Sequence, residues 1–150
     1  MNILYHNRRE KIELAESLNA KYSDLDTLLK QSDFVVVAVD LNAESKHLIG
    51  AAELAKMQSH AVLVNIARGS VIDEQALIQA LKTKIIFAAG LDVYQQEPLQ
   101  HSELFDLDNV VTLPHVGSAT AQTRKRMSEL AYENLLAALE GRKPAFVVES

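Results

Sequence analysis

Short apolar runs rich in valine and isoleucine alternate along the chain with segments in which apolar residues recur every three or four positions. The first pattern is typical of strands buried on both faces of a parallel sheet, and the second is typical of the helices that cover such a sheet. An extended piece at Tyr22 is compatible with an additional edge strand. The main strands are predicted at 2–5, 34–39, 61–65, 87–91 and 110–113.

Segments with helical periodicity separate these strands. Asp73 has a side chain preferred at helix N-caps, and a long amphipathic helix from Ala119 to Glu140 is predicted to stop at Gly141 and Pro144. The shorter helices are predicted at 10–19, 25–30, 51–57 and 74–82. This alternation predicts an α/β fold of the Rossmann type, with a parallel sheet and flanking helices.

The beginning of the chain departs from the usual order of such a fold. A sheet of this type should open with a strand that leads into a glycine-rich turn, whereas Met1 is followed at once by what reads as a second strand. The five glycines are scattered and form no GxGxxG, the motif whose backbone holds a dinucleotide pyrophosphate. We therefore expect the first strand and the glycine-rich loop to be missing.

Composition narrows the classes of function. The chain has 150 residues, of which 48% are hydrophobic and 23% charged, as expected for one globular domain with a real core. A net charge of −5 argues against nucleic acid as a partner. No apolar run is long enough to span a membrane, so we expect a cytoplasmic protein with no membrane partner. Without cysteine or clustered histidines, no metal site is expected.

Polar residues follow several of the predicted strands, where ligands bind in open α/β sheets. Arg68 presents a guanidinium suited to gripping a carboxylate, Glu97 precedes a proline, and His115 lies on a stiff turn after Pro114. Taken singly, each is better explained as a structural or solvated residue. Together they form a set in which a neighbouring carboxylate favours the imidazolium, so that His115 can deliver a proton near neutral pH.

The segments that carry these residues resemble one family in detail. NIARGSVIDE at 65–74, AAGLDVYQQEP at 88–98 and LPHVGSAT at 113–120 are similar to the D-isomer-specific 2-hydroxyacid dehydrogenases. The resemblance extends over essentially the whole chain. It implies hydride transfer between a nicotinamide ring and C2 of a 2-keto or 2-hydroxy acid. By that resemblance Arg68 binds substrate, His115 is the acid/base and Glu97 is its partner, the three catalytic residues that we predict.

The family pattern also suggests a branch and a cofactor. YHNRR at 5–9, read together with the later motifs, most resembles the glyoxylate/hydroxypyruvate reductase and 2-ketogluconate reductase branch. At the end of the first strand a carboxylate selects NAD, whereas arginine accommodates the phosphate of NADP, so NADP(H) is favoured and NAD(H) remains an alternative. Arginines solvated in a first helical turn, with Glu10 as partner, are the competing interpretation.

The remaining cofactor contacts are implied by resemblance alone. Asp92 is carried over as the partner of the nicotinamide carboxamide, with Gly117 and Ser118 beside it. The full set of predicted cofactor-binding residues is Asn7, Arg8, Arg9, Val39, Asp40, Ala67, Asp92 and Gly117.

Two positions depart from the family pattern. Asp40, Leu41 and Asn42 stand where members commonly carry Pro-Leu-Thr, and this places a carboxylate near the site of an anionic cofactor. Lys84 stands where a glycine commonly closes the preceding helix, and a left-handed backbone there would strain it. Both departures suggest drift or a local rearrangement.

Residues 1–150 are thus expected to form a partial NAD(P)-binding domain, in which 119–150 are the long helix and tail that return toward a substrate domain. The expected function is reduction of a small 2-keto acid, impaired or partner-dependent in this chain. A non-catalytic dinucleotide sensor or protein-binding module, and a degenerate fragment without ligand, are the alternatives. The expected partners are the 2-keto or 2-hydroxy acid and either a second copy or a missing N-terminal half.

Overall fold

Strands and helices alternate along the chain, as the sequence predicts. The computed structural model describes residues 1–147, apart from the side chains of residues 13 and 14. The strands are β1 (Ile3–Tyr5), β2 (Ala20–Tyr22), β3 (Phe34–Val37), β4 (Val62–Asn65), β5 (Ala88–Leu91) and β6 (Val110–Thr112). The helices are α1 (Ile12–Leu18), α2 (Leu25–Gln31), α3 (Ala51–Leu54), α4 (Glu74–Lys82) and α5 (Ala121–Leu139), with 3-10 turns at Gly69–Val71 and Glu103–Asp106. Each predicted element is present, most with slightly shorter ends.

All strand pairs are parallel, which confirms the predicted fold class, but the strands form two sheets. β1 pairs with β2, while β3, β4, β5 and β6 form a separate sheet in that order. In the doubly wound order 3-2-1-4-5-6, strand 1 leads into the glycine-rich turn and lies between strands 2 and 4. Strands 2 and 4 of that order correspond to β1 and β3 of this chain. Within residues 1–147 no strand lies between β1 and β3, and the sheet is therefore divided there.

The two faces of the four-stranded sheet differ in burial. Successive strand side chains point to opposite faces, and β3 alternates between exposed and buried residues. Phe34 and Val36 are 67% and 58% exposed, whereas Val35 and Val37 are buried. The buried face belongs to the core cluster, to which the helices contribute Leu29, Leu54, Leu77, Ile78 and Leu81. The core thus lies on one side of the sheet.

The structures of both ends of α4 agree with the predictions from the sequence. The Asp73 side chain accepts a hydrogen bond from the Ala76 amide at 3.1 Å, which confirms the predicted N-cap. At the other end Lys84 has φ 57°, and the Ile85 amide donates to the Ala80 carbonyl at 2.8 Å. A left-handed backbone costs a residue with a side chain about 1 kcal/mol. The strain expected at Lys84 is therefore present.

The chain divides into two compact units, of which the first covers Met1–Pro114 and the second begins at His115. The second unit contains α5, where the Thr120 hydroxyl accepts from the Thr123 amide at 3.1 Å as N-cap. Gly141 has φ 70° just beyond this helix, in agreement with the predicted stop. Across the described residues, no helix combines the length and the apolar character needed to cross a membrane.

Candidate functional site

The turn after β4 is shaped by a buried asparagine. Asn65, 1% exposed, accepts a hydrogen bond from the Ala67 amide at 3.0 Å and donates to the Arg68 carbonyl at 3.1 Å. The exposed Arg68 side chain donates from Nη1 to the Ala67 carbonyl at 2.7 Å. The Asn65 side chain thus fixes the backbone of the turn at Arg68, while the Arg68 guanidinium reaches the surface with further N–H groups to donate.

A second segment supports this turn from the side. The His47 amide donates to the Ser70 carbonyl at 2.8 Å. The Ile49 amide donates to the Val71 carbonyl at 3.2 Å, and Ile49 and Ile72 form a parallel bridge. Backbone hydrogen bonds to the neighbouring segment therefore hold the turn that carries Arg68 in place.

The loop after β5 carries two predicted site residues. Asp92 is 8% exposed, and its amide donates to the Asn65 carbonyl at 3.1 Å, which extends the contact between β4 and β5. The exposed Glu97 accepts from the Tyr94 amide at 3.0 Å through Oε1, and the Glu97–Pro98 peptide bond is cis. The hydrogen bond from Tyr94 orients the Glu97 carboxylate within the loop.

Tyr94 also joins the ends of two strands. Its side chain is buried, and its hydroxyl lies 3.0 Å from the Leu91 carbonyl and 2.8 Å from the Leu113 carbonyl. Burial raises the pKa of this hydroxyl, which therefore remains a donor at neutral pH. Its single proton can go to either carbonyl, so Tyr94 ties the carboxyl end of β5 to the residue that follows β6.

The Arg68 turn and the Glu97 loop are in direct backbone contact at Gly69. A Cβ built on Gly69 would lie 1.8 Å from the carbonyl carbon of Tyr94 and 2.3 Å from the nitrogen of Gln95. Such distances do not occur between real atoms, so only glycine permits this approach. The structure thereby brings the segments of Arg68, Asp92 and Glu97 together.

The predicted cofactor residues after β1 lie in a looser environment. Arg8 and Arg9 were expected in the first turn of a helix, but α1 begins only at Ile12, and both arginines lie in the preceding loop. The amide of Arg8 donates to the Asn7 side chain at 2.9 Å. The Arg8 guanidinium pairs with Glu44, not with the expected Glu10, at 3.2 Å. Lys11, which is not a preferred capping residue, precedes the helix, and its side chain makes no capping hydrogen bond.

The Arg8–Glu44 pair links the loop after β1 to the segment after β3. In that segment Val39 is half-buried against the core, and the exposed Asp40 accepts at its carbonyl from the Ser45 hydroxyl at 2.6 Å. Asn42 closes the same turn by accepting from the Ser45 amide at 3.0 Å. The departure from the family pattern at Asp40–Asn42 therefore forms an ordered turn, with the carboxyl ends of β1 and β3 on one side of the unit.

The remaining candidates lie in the second unit. His115 is its first residue and has φ 53°, the left-handed conformation that histidine adopts more readily than most side chains. Gly117 and Ser118 are exposed in the turn that leads to α5, where the Ala119 amide donates to the Val116 carbonyl at 2.9 Å. A strained backbone at a candidate catalytic residue is a recognised feature of functional sites.

Sequence reasoning missed the residues that build the frame. Asn65, Gly69 and Tyr94 stand within the quoted motifs, yet none was assigned a role. An asparagine ending an apolar run was the available signal for Asn65, because a buried amide needs partners. No local signal indicates the contact between Gly69 and Tyr94, which are distant in sequence. The described residues contain no group of three or more His, Asp or Glu side chains able to hold a metal ion.

Polar turns at the carboxyl ends of parallel strands, flanked by helices, define a nucleotide-binding class of α/β domain. Residues 1–117 match the family model described as the D-isomer specific 2-hydroxyacid dehydrogenase, NAD binding domain. The chain belongs to this family, which confirms the resemblance found in its motifs.

Relatives extend the comparison. Glyoxylate/hydroxypyruvate reductase B of Enterobacter agglomerans is 54% identical over 143 residues, which cover 95% of this chain and 44% of the relative. An NADPH-dependent glyoxylate/hydroxypyruvate reductase from Sinorhizobium meliloti, solved with NADP and malonate, has a TM-score of 0.84 and 37% identity over 91% of this chain and 42% of that one. D-lactate dehydrogenase from Lactobacillus jensenii, solved with NAD+, has a TM-score of 0.89 and 28% identity over 99% and 48%. The chain therefore spans about half the length of these relatives.

Proposed function

We propose that this chain is the nucleotide-binding part of an NAD(P)-dependent oxidoreductase that reduces the C2 carbonyl of a small 2-keto acid such as glyoxylate or hydroxypyruvate. The observation that carries the proposal is the backbone contact at Gly69, which joins the Arg68 turn to the Glu97 loop. Similarity to glyoxylate/hydroxypyruvate reductases supports the substrate class. Because the chain covers 44% of one such relative, activity is proposed for a protein that also supplies the remaining length.

Arg68 is proposed to bind the substrate carboxylate. Its backbone is fixed by Asn65, while its exposed guanidinium uses one bond to the Ala67 carbonyl and can donate others. A guanidinium grips a carboxylate with two parallel hydrogen bonds, so it fixes orientation as well as charge. Its positive charge also favours the negative charge that develops on the carbonyl oxygen during reduction.

His115 is proposed to donate a proton to that oxygen, with Glu97 as its acidic partner. The bound nicotinamide supplies the hydride that C2 accepts, and the two transfers together convert the carbonyl to an alcohol. His115 then regains its proton from solvent. A histidine suits this role because it exchanges a proton near neutral pH.

The dinucleotide is proposed to lie along the carboxyl ends of the strands. Arg8 and Arg9, with Asn7 beside them, would bind the phosphate on the 2′-hydroxyl of its adenosine ribose, and the exposed guanidinium of Arg8, which pairs with the Glu44 carboxylate, fits an anion. Asp92 would accept from the carboxamide. The other proposed contacts are Val39, Asp40, Ala67 and Gly117. Arginines in place of the carboxylate that binds the NAD ribose favour NADP(H), with NAD(H) as the alternative.

The wider assignments stay predictions. They are a cytoplasmic location, a second copy or an N-terminal half as partner, and a role for residues 119–150 in returning toward a substrate domain.

A completed chain tests the function. The N-terminal portion of glyoxylate/hydroxypyruvate reductase B from Enterobacter agglomerans is fused ahead of this chain, and NADPH consumption is followed by absorbance with glyoxylate and with hydroxypyruvate. We expect turnover that falls at least about a hundredfold in Arg68→Ala and in His115→Ala. The unfused chain is measured in parallel and is expected to be slower.

Matched variants make this test specific. Arg142→Ala and His101→Ala remove an exposed residue of each type outside the proposed site and should retain turnover. Full activity in Arg68→Ala and His115→Ala would refute the assignment of both residues. No turnover in any well-folded fusion would refute the proposed reaction.

The cofactor preference is tested in the same fusion. Replacing Arg8 and Arg9 together by alanine should weaken NADPH binding at least about tenfold more than NADH binding, because only NADPH carries a phosphate on the 2′-hydroxyl of its adenosine ribose. Titration of the reduced cofactor fluorescence measures both dissociation constants. Equal losses would mean that these arginines do not recognise the phosphate.

A further inference from the structure

The loop that carries Glu97 is anchored to α4 through Gln95. The Gln95 amide donates to Oε2 of Glu74 at 3.1 Å. Its side-chain Nε2 lies 3.1 Å from the Ile72 carbonyl and 3.1 Å from Nε2 of His47. One exposed residue of the loop thus makes three polar contacts with the segments that surround the Arg68 turn.

Glu74, the partner of the Gln95 amide, lies in a helix that is packed in the core. Glu74 is the first residue of α4, directly after the N-cap Asp73, and the helix is anchored in the core by Leu77 and Ile78. A carboxylate that accepts from a backbone amide forms a charge-assisted hydrogen bond, stronger than its neutral counterpart. Glu74 can therefore hold the loop in place from a helix that is packed in the core.

The contact at Gly69 lies beside this anchor. The backbone of Tyr94 and Gln95 touches Gly69, which directly follows Arg68. Glu97 lies two residues beyond Gln95, and its carboxylate is held by the Tyr94 amide. The loop therefore meets α4 through Gln95 and the Arg68 turn through Tyr94 and Gln95.

We propose that Glu74, Gln95 and Gly69 form a clamp that fixes the Glu97 loop against the Arg68 turn, and that Glu74 and Gln95 are positioning residues for Arg68 and Glu97. The proposal rests on the proposed function only in the roles of Arg68 and Glu97. It gives a role to Glu74, the last residue of the NIARGSVIDE motif, to which sequence reasoning assigned none.

Amide hydrogen exchange on the 150-residue chain tests the clamp itself. In Glu74→Ala the Gln95 and Tyr94 amides should exchange at least about tenfold faster, since the loop can then open locally. Glu74→Gln keeps a side-chain acceptor and should restore protection. Gln75→Ala, the neighbouring exposed residue of α4, is the matched control and should leave both amides unchanged. Gln95→Ala loosens the loop without touching the helix.

Kinetics in the fusion enzyme test the positioning role. Glu74→Ala should lower kcat about tenfold while the KM for NADPH changes less than about twofold, because misplaced catalytic groups affect turnover more than cofactor binding. Glu74→Gln should recover most of kcat. In a background that carries both Arg68→Ala and Glu97→Ala, Glu74→Ala should add little, since a positioning residue acts through its targets.

The outcomes separate this proposal from the proposed function. If amide exchange is unchanged in both Glu74→Ala and Gln95→Ala, the clamp is refuted, whatever turnover the fusion enzyme shows. Faster exchange with unchanged kcat would leave a structural contact and overturn the positioning role. Loss of turnover in Arg68→Ala with none in Glu74→Ala would retain the function and reject the inference. Full activity in Arg68→Ala would reject the proposed role of Arg68, no turnover in any folded fusion would reject the function, and in both cases exchange would still decide the clamp.

Discussion

The turns after β4 and β5 differ from the loop after β1, although all of them follow parallel strands. Asn65 and Gly69 close the first two turns with buried hydrogen bonds and backbone contact. The loop after β1 is joined to its neighbour by the Arg8–Glu44 pair, in which both side chains are more than two-thirds exposed. Buried contacts hold the turns after β4 and β5 in place, whereas the loop after β1 exposes its charged side chains to solvent.

The difference matches the proposed roles of the two regions. Chemistry on a small carbonyl substrate needs groups held to within a fraction of an ångström, which buried contacts can provide. Recognition of a phosphate tolerates a mobile guanidinium that closes on the anion when it binds. We therefore expect substitutions in the first region to have large effects on stability and those in the second to have small ones.

The largest effect is expected at Gly69. Gly69→Ala would place a methyl group 2.0 Å from the Tyr94 carbonyl oxygen, so the backbone of one turn must move. We expect the free energy of unfolding to fall by about 3 kcal/mol, measured by urea denaturation of the 150-residue chain. The comparison fails if this substitution is neutral.

Gly90→Ala is the matched control for Gly69→Ala. A Cβ on Gly90 would meet Val64 at 3.8 Å, an ordinary van der Waals contact. Its effect should stay within about 0.5 kcal/mol, because no atom is displaced. A loss as large as that of Gly69→Ala would mean that any added methyl group destabilises this chain.

These contacts also show where sequence reasoning reaches its limit. Local patterns predicted the strands and the Asp73 cap, because each depends on a few neighbouring residues, and a departure from the family pattern predicted the strain at Lys84. The family motifs selected Arg68 and Glu97 as candidates. The division into two sheets and the contact of Gly69 with Tyr94 depend on residues far apart in the chain, which no local pattern reports.

Substitution of Lys84 by glycine tests whether the left-handed backbone at this position lowers the stability of the chain. Glycine pays no steric penalty at the left-handed φ of 57° found here, so Lys84→Gly should stabilise the chain by about 1 kcal/mol. Asn19→Gly is the control, because asparagine already tolerates its φ of 49° and the gain should be smaller. Urea midpoints give both values. Destabilisation by Lys84→Gly would contradict the strain at this helix end.

The Asp26–Lys56 pair extends the comparison to a partly exposed contact between α2 and the turn that follows α3. A hydrogen bond at 2.7 Å to Lys56 lowers the pKa of Asp26, and the same bond raises the pKa of Lys56. Stability from Asp26 is present above its unfolded pKa and is lost as pH falls through the lowered folded value, whereas stability from Lys56 is lost only as pH rises above 10.5.

Asp26→Asn should therefore be less stable than the parent chain at neutral pH, and the difference should narrow as pH falls below 3.8. Urea denaturation at neutral pH and at successively lower pH measures the narrowing. A difference that is the same at all these values would show that the charge of Asp26 contributes nothing to folding.

The smallest effect is expected at Glu44, because the side chains of the Arg8–Glu44 pair are 71% and 72% exposed. Glu44→Gln should change the free energy of unfolding by no more than about 0.5 kcal/mol, since exposed ion pairs gain little against solvation and side-chain entropy. It should also release Arg8 from a competing carboxylate, so NADPH binding by the fusion enzyme should tighten slightly while NADH binding stays the same. A loss of stability comparable with that of Gly69→Ala would mean that the loop after β1 is held as tightly as the turns after β4 and β5. The contrast between a fixed catalytic region and an adaptable phosphate-binding region would then disappear.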